Sequence, residues 1–109
     1  MEIKIIDRDG AKIIALSGDI DIYTSPEVRK QLLRMVDQRI SVIMVDLTDV
    51  AYIDSSGIAT FVEGLKGMMS YSGRLKFFGM PERVKEIFNF SKLDKVFDMY
   101  GSMEDALKN

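Results

Sequence analysis

The amino-acid sequence predicts an α/β domain built on a mixed β-sheet, and three observations carry that reading. Two apolar-containing segments at the N-terminus flank a turn, as in an antiparallel hairpin. A nearly continuous apolar run, Val42-Ile43-Met44-Val45-Asp46-Leu47, reads as a strand in the middle of a sheet. After the hairpin, strand-like segments alternate with helical ones, as parallel strands with right-handed crossovers require. The predicted order is β-β-α-β-α-β-α-β-α, with about four helices.

The hairpin strands are placed at residues 2–7 and 12–17, around the turn Arg8-Asp9-Gly10-Ala11. Gly18 then opens a short acidic loop, Asp19-Ile20-Asp21-Ile22-Tyr23. Thr24-Ser25-Pro26-Glu27 starts a helix, with Ser25 as N-cap, Pro26 at the first helical position and Glu27 in the first turn. Val28, Leu32, Met35 and Val36 make its apolar face. Residues 41–47 form the central strand. The next helix puts Ile58, Val62, Leu65 and Met69 on one stripe and ends at Ser70-Tyr71-Ser72-Gly73, with Gly73 supplying a left-handed turn. Residues 74–78 are a further strand, and Gly79-Met80-Pro81-Glu82 leads into a third helix carrying Val84, Ile87 and Phe88. A short strand is expected around Val96-Phe97-Asp98, and Ser102 caps a last helix over residues 103–107. No repeat, low-complexity tract or linker interrupts residues 1–109, which read as a single domain.

Composition narrows the chemistry. A chain of 109 residues with 47% hydrophobic and 29% charged residues can bury a core of its own. Net charge is −2 with the basic residues scattered, so no basic stripe recommends nucleic acid as a direct partner. No apolar run approaches the ~20 residues that cross a bilayer, and no signal-peptide apolar region opens the chain. Cysteine is absent, so no disulfide framework points to secretion. These features together lead to the expectation of a cytoplasmic domain without membrane insertion. Without histidine or cysteine, a Ser-His-Asp or Cys-His site cannot be assembled from this chain, and the usual zinc ligands are missing. No metal site and no cofactor are expected, and catalysis is disfavoured.

The functional interest lies in Asp54-Ser55-Ser56-Gly57, between the apolar strand and a helix. Free backbone N–H groups and partial positive charge gather at a helix start. The cluster therefore reads as a cap, an anion site or a modifiable serine. One side chain suffices for a cap, yet three follow one another here. Gly57 stands where a helix prefers almost any other residue, which reads as room beside Ser56 for an approaching kinase or ligand. A serine nucleophile is disfavoured, since no G-x-S-x-G elbow and no histidine are present. A phosphate pocket lacks a Walker loop, and Asp19, Asp21 and Asp54 oppose an anion if they lie nearby. Met68, Met69 and Phe61 are expected in the core, with Met80 the better surface candidate because it lies in a turn.

The chain resembles the STAS-domain anti-sigma factor antagonists over essentially its whole length. The resemblance rests on Leu16-Ser17-Gly18-Asp19-Ile20-Asp21 followed by Thr24, on Val45-Asp46-Leu47 through Ile53-Asp54-Ser55-Ser56-Gly57, and on Gly79-Met80-Pro81 and Val84. The D-S-S-G step after an apolar strand is its specific element. Asp19 departs from the family's G-E-L-D pattern, in which glutamate is usual.

The resemblance implies a single STAS-like domain with Ser56 as phosphorylation site, set among Asp21, Asp54, Ser55 and Gly57. It suggests that Asp21 sits beside Ser56 and helps orient the hydroxyl. Asp19, Thr24, Ile58 and Met80 are candidates for the partner-binding surface. The implied partner is an anti-sigma factor that is also a serine kinase of the histidine-kinase-like ATPase type. The unphosphorylated chain would bind it and release a sigma factor, phosphorylation would prevent binding, and a PP2C-type phosphatase would restore it. A phosphoserine carries about −1.5 to −2 charges at pH 7. A penalty of roughly 3–4 kcal/mol at the docking surface weakens binding by about 100- to 1,000-fold. Two alternatives stand beside this: a STAS docking subunit of a transporter or stressosome-like assembly, and a nucleotide-binding sensor.

Overall fold

The computed structural model describes the whole chain, residues 1–109. Strands β1 (Glu2–Arg8) and β2 (Ala11–Ile20) pair antiparallel, from Glu2↔Ser17 to Arg8↔Ala11. Their two-residue turn, Asp9-Gly10, has positive φ at both positions, the geometry that matches the twist of a hairpin. The chain continues through α1 (Ser25–Asp37), β3 (Val42–Ile53), α2 (Ser55–Met69), β4 (Arg74–Phe78), α3 (Glu82–Phe90), a 3₁₀ turn (Leu93–Lys95), β5 (Asp98–Tyr100) and α4 (Met103–Lys108). The sheet order is β1-β2-β3-β4-β5, antiparallel in the hairpin and parallel thereafter. Fold class, strand directions and element order are those expected from the sequence.

The two faces of the sheet are covered unequally. Helices α1, α2 and α3 bring Val28, Leu32, Met35, Phe61, Met68, Val84 and Phe88 onto Ile14, Leu16, Ile43, Val45, Leu47, Leu75 and Phe77. Phe77 is the hub of an aromatic cluster, with ring centroids 5.0 Å from Phe61, 6.1 Å from Phe88 and 4.9 Å from Phe97. On the opposite face the short α4 lays Ala106 over Ala11, Ile13, Met44 and Phe78. Lys76, buried beneath it, donates from Nζ to the Ala106 carbonyl at 2.6 Å. Burial pushes the Lys76 ammonium below its ordinary pKa, aided by the neighbouring Arg74.

Several local expectations are corrected. Gly18 and Asp19 belong to β2, not to a loop, and β3 runs on to Ile53 instead of ending at Leu47. Past Asp46, β3 keeps only β2 as neighbour, through irregular register that ends at Ile20↔Ile53. Those irregularities break the period-2 pattern by which a strand is recognised. The N-cap of α1 is Thr24, whose hydroxyl is held elsewhere; Ser25 is the first helical residue and is buried. The left-handed residue after α2 is Ser72, with φ 61°, while Gly73 donates its N–H to the Met68 carbonyl. The inward face of α2 is Gly57, Thr60, Phe61, Gly64 and Met68; Ile58, Val62 and Leu65 are half-buried and Met69 is exposed. The helix is rotated from its expected face because its glycines allow close approach, a Cβ on Gly64 standing only 2.4 Å from Leu32 Cδ2. The last strand lies two residues later than expected, displaced by the 3₁₀ turn.

Candidate functional site

The paired ends of β2 and β3 project beyond β4 and hold two chain reversals side by side. The Asp54 N–H donates to the Ile20 carbonyl at 3.0 Å, which fixes the start of α2 against the β2–α1 loop. In that loop Asp21 Oδ1 accepts from the N–H groups of Tyr23 and Thr24, at 2.9 and 3.1 Å. Thr24 Oγ1 accepts from the Asp21 N–H at 2.9 Å and donates to the Asp19 carbonyl at 2.8 Å. Asp21 and Thr24 thus shape the loop, each occupied with its own backbone.

Asp54 is the N-cap of α2. Its Oδ1 accepts from the N–H groups of Ser56 and Gly57, at 2.9 and 3.3 Å, and from the Ser56 hydroxyl at 2.5 Å. The Ser56 hydroxyl holds the Asp54 carboxyl below the usual carboxylate range, helped by the backbone N–H groups of Gly57, Ser56 and Ile22 against the opposing effect of partial burial. Asp54 is therefore an anion at neutral pH. Ser56 Oγ also accepts from the hydroxyl of buried Ser25, at 3.2 Å. The result is a relay from Ser25 through Ser56 to Asp54, which fixes where the Ser56 proton points and leaves Oγ with a second lone pair.

Gly57 owes its identity to packing. A Cβ there would stand 2.6 Å from Ile20 Cγ2 and 2.7 Å from Ile53 Cγ1, the two isoleucines at the strand ends. The first turn of α2 lies that close to the sheet. The expectation that Gly57 makes room for an approaching molecule is corrected accordingly, since the missing side chain would point inward.

Of the expected site residues, Asp54, Ser55, Ser56 and Gly57 form the first turn of α2 with its cap, and Asp21 and Thr24 form the adjoining loop. Asp21 makes no hydrogen bond to Ser56; Asp54 alone takes its proton. Asp19 is exposed, and its carbonyl receives Thr24. Exposed Ser55 and half-buried Ile58 line a groove with Tyr52, Ile87 and Leu93. Met80 lines a different cleft, with Phe97, Met99 and Tyr100, and is not brought to the serines. Three features escaped the sequence reading. Ser25 touches Ser56; Arg29 pairs bidentately with Glu63 at 2.8 Å for both contacts; and Ile22, Tyr23 and Phe90 are strongly exposed apolar side chains, at 63%, 86% and 91%. Only the run Ile22-Tyr23 in an acidic loop carried a local signal.

Known proteins with related sequences and structures complete the description. The family model described as "STAS domain" matches residues 2–106. The anti-sigma-B factor antagonist of Listeria monocytogenes is 32% identical over 100 residues, covering 91% of this chain and 88% of that protein. The crystal structure of an anti-sigma factor antagonist from Mycobacterium paratuberculosis superposes with a TM-score of 0.90 at 22% identity, covering 98% of this chain and 91% of the other. The Bacillus cell fate determinant SpoIIAA in its phosphorylated form superposes with a TM-score of 0.75 at 17% identity, covering 98% and 97% respectively.

Proposed function

The chain belongs to the STAS-domain family, and from that premise we propose that it is a cytoplasmic anti-sigma factor antagonist switched by phosphorylation of Ser56. Unphosphorylated, it binds an anti-sigma factor that is also a serine kinase of the histidine-kinase-like ATPase type, and so releases a sigma factor. Phosphorylation ends the binding, and a PP2C-type phosphatase restores it. The chain is the substrate of these reactions and catalyses neither.

One observation carries the proposal: the Ser56 hydroxyl is hydrogen-bonded to the anionic Asp54 at an accessible helix start, flanked by exposed apolar side chains. Ile22 and Tyr23 lie on the loop bonded to that start, and Tyr52, Ile58 and Ile87 line the groove beside it. Exposed apolar and aromatic side chains of this kind suit the centre of a protein interface. In phosphoryl transfer, an Oγ–P bond forms at Ser56 as the γ-anhydride of the kinase's nucleotide breaks, and the hydroxyl proton leaves on the side of Asp54. The new charge stands in an interface that must be desolvated, beside a carboxylate of the same sign. Affinity falls without refolding.

The relatives support the reading, since the Listeria protein is an anti-sigma-B factor antagonist and SpoIIAA has a phosphorylated form. The test is a pull-down with wild type and Ser56→Asp, read by mass spectrometry. Wild type should recover a kinase-like ATPase that Ser56→Asp binds about 100-fold more weakly or loses. Equal recovery by both forms counts against the switch. Phosphopeptide mapping should place the phosphate on Ser56, and phosphate on Ser55 alone contradicts the assignment.

A further inference from the structure

If Ser56 is the modified serine, as proposed above, its surroundings decide where the phosphoryl group goes. Asp54 closes one side of Ser56 Oγ at 2.5 Å, and a dianion is repelled from there. Ser56, but not Asp54, lines a cleft of about 330 Å³ between the N-terminal halves of α1 and α2. Ser25, Pro26, Arg29, Ala59, Thr60 and Glu63 line it with Ser56. Ser25 lies 6% exposed, and its hydroxyl already donates to Ser56 Oγ, the one partner that hydroxyl has. Arg29 follows one helical turn along α1 and is the one cation of the cleft. Its guanidinium is engaged by Glu63 through both Nε and Nη2, at 2.8 Å each, with the two side chains 53% and 45% exposed.

We propose that Ser25 and Arg29 form a receptor for the phosphoryl group of phosphorylated Ser56, and that Glu63 occupies Arg29 until the phosphate displaces it. The chemistry favours the exchange. A guanidinium fork pairs with phosphate as it does with carboxylate, and a dianion outcompetes a monoanion at similar geometry. The Arg29–Glu63 pair is exposed, so breaking it costs little. The Ser25 hydroxyl is not left unpaired, because a phosphate oxygen takes the place of Ser56 Oγ as its acceptor. The receptor draws the phosphate away from Asp54 and towards α1. This leaves α2 capped and gives the phosphorylated form a fixed surface that a phosphatase must open.

The test installs phosphoserine at position 56 during translation, so that it holds whichever kinase acts and whichever serine that kinase prefers. The second ionisation of the phosphate, near pH 6 in the free group, is followed by ³¹P NMR. Arg29→Gln should raise that ionisation by roughly half a unit or more, by removing the cation that favours the dianion. Glu63→Gln should lower it, by releasing Arg29 from its competitor. Arg34→Gln, a change of equal charge further along α1, should leave it in place. An ionisation that Arg29→Gln does not move overturns the receptor. One that Arg29→Gln and Arg34→Gln move equally reduces Arg29 to bulk charge and overturns it as well. Movement by Arg29→Gln without movement by Glu63→Gln overturns the exchange. Phosphopeptide mapping bears on the choice of Ser56 alone, so the two readings fail separately.

Discussion

Replacing Gly57 by alanine separates two explanations of that glycine, access to Ser56 and close packing of α2. The added methyl would stand 2.6 Å from Ile20 Cγ2, 2.7 Å from Ile53 Cγ1 and 3.0 Å from Ile53 Cδ1. Real carbons do not approach so closely, so something must move. Both isoleucines are fully buried, at 0% and 1% exposure, and their β-branched side chains have few rotamers to choose from. Overpacking of this kind costs about 1–3 kcal/mol. Alanine returns up to about 1 kcal/mol of helix propensity, and less in a first turn than in a helix interior. The balance is a loss of about 1–2 kcal/mol from a total of the order of 5–15 kcal/mol.

For a domain of this size that loss corresponds to a fall in Tm of roughly 5–15 °C. Urea unfolding followed by circular dichroism measures it, with an unchanged m-value showing that the two states are comparable. Gly101→Ala is the control, because a methyl there meets nothing within 4 Å. In an Ile53→Ala background Gly57→Ala should cost less, since the new methyl enters vacated volume. A Gly57→Ala protein at least as stable as wild type would refute the packing argument and return Gly57 to a role in access.

The remaining predictions concern the two aspartates. The Asp54 carboxyl lies below its ordinary pKa in the folded protein, so its contribution is complete above the unfolded value near 3.9 and is lost as pH falls through the folded one. Between pH 6 and pH 3 wild type should therefore lose more stability than Asp54→Asn, measured by urea unfolding at each pH; parallel profiles remove Asp54 from the acid response. Asp21→Ala should slow phosphorylation several-fold in a purified kinase assay, while Asp21→Asn, which keeps the oxygen that holds Tyr23 and Thr24, should stay near wild type. Equal slowing by both assigns Asp21 a role through its charge instead.

What the sequence made legible follows from where its signals are local. The start of α2 was readable because Asp54, Ser56 and Gly57 act within a few residues of one another. The inward face of α2 was not, because Gly57, Gly64 and Gly67 have no hydrophobicity to register. Gly64 and Gly67 nevertheless admit Leu32 and Val36 of α1. The extension of β3 to Ile53 was hidden by Thr48 and Asp49 and by a core spacing of three between Val50 and Ile53. Ser25 meets Ser56, and Arg29 meets Glu63, across sequence separations of 31 and 34 residues, which no periodicity relates. Thr24-Ser25-Pro26 supplies every local mark of a cap at Ser25. In the folded chain it turns inward to another hydroxyl, and Thr24 serves the loop instead.

The division of labour at Asp54 explains how a switch can work here without disturbing the fold. Phosphorylation of Ser56, as proposed, would remove the hydroxyl proton and with it one of the bonds that Asp54 accepts. The N–H groups of Ser56 and Gly57 are untouched, and so is the Asp54 N–H to the Ile20 carbonyl. The cap of α2 therefore survives, and the strand ends stay joined to the helix start. A serine whose hydroxyl alone held the helix would couple modification to unfolding. At Ser56 the backbone holds the helix and the hydroxyl is spare, so a charge added there would appear on a surface whose backbone keeps its shape. A partner reading this surface would then meet either a hydroxyl or a dianion on an unchanged backbone, and the difference between them would be one of charge and local side-chain pairing.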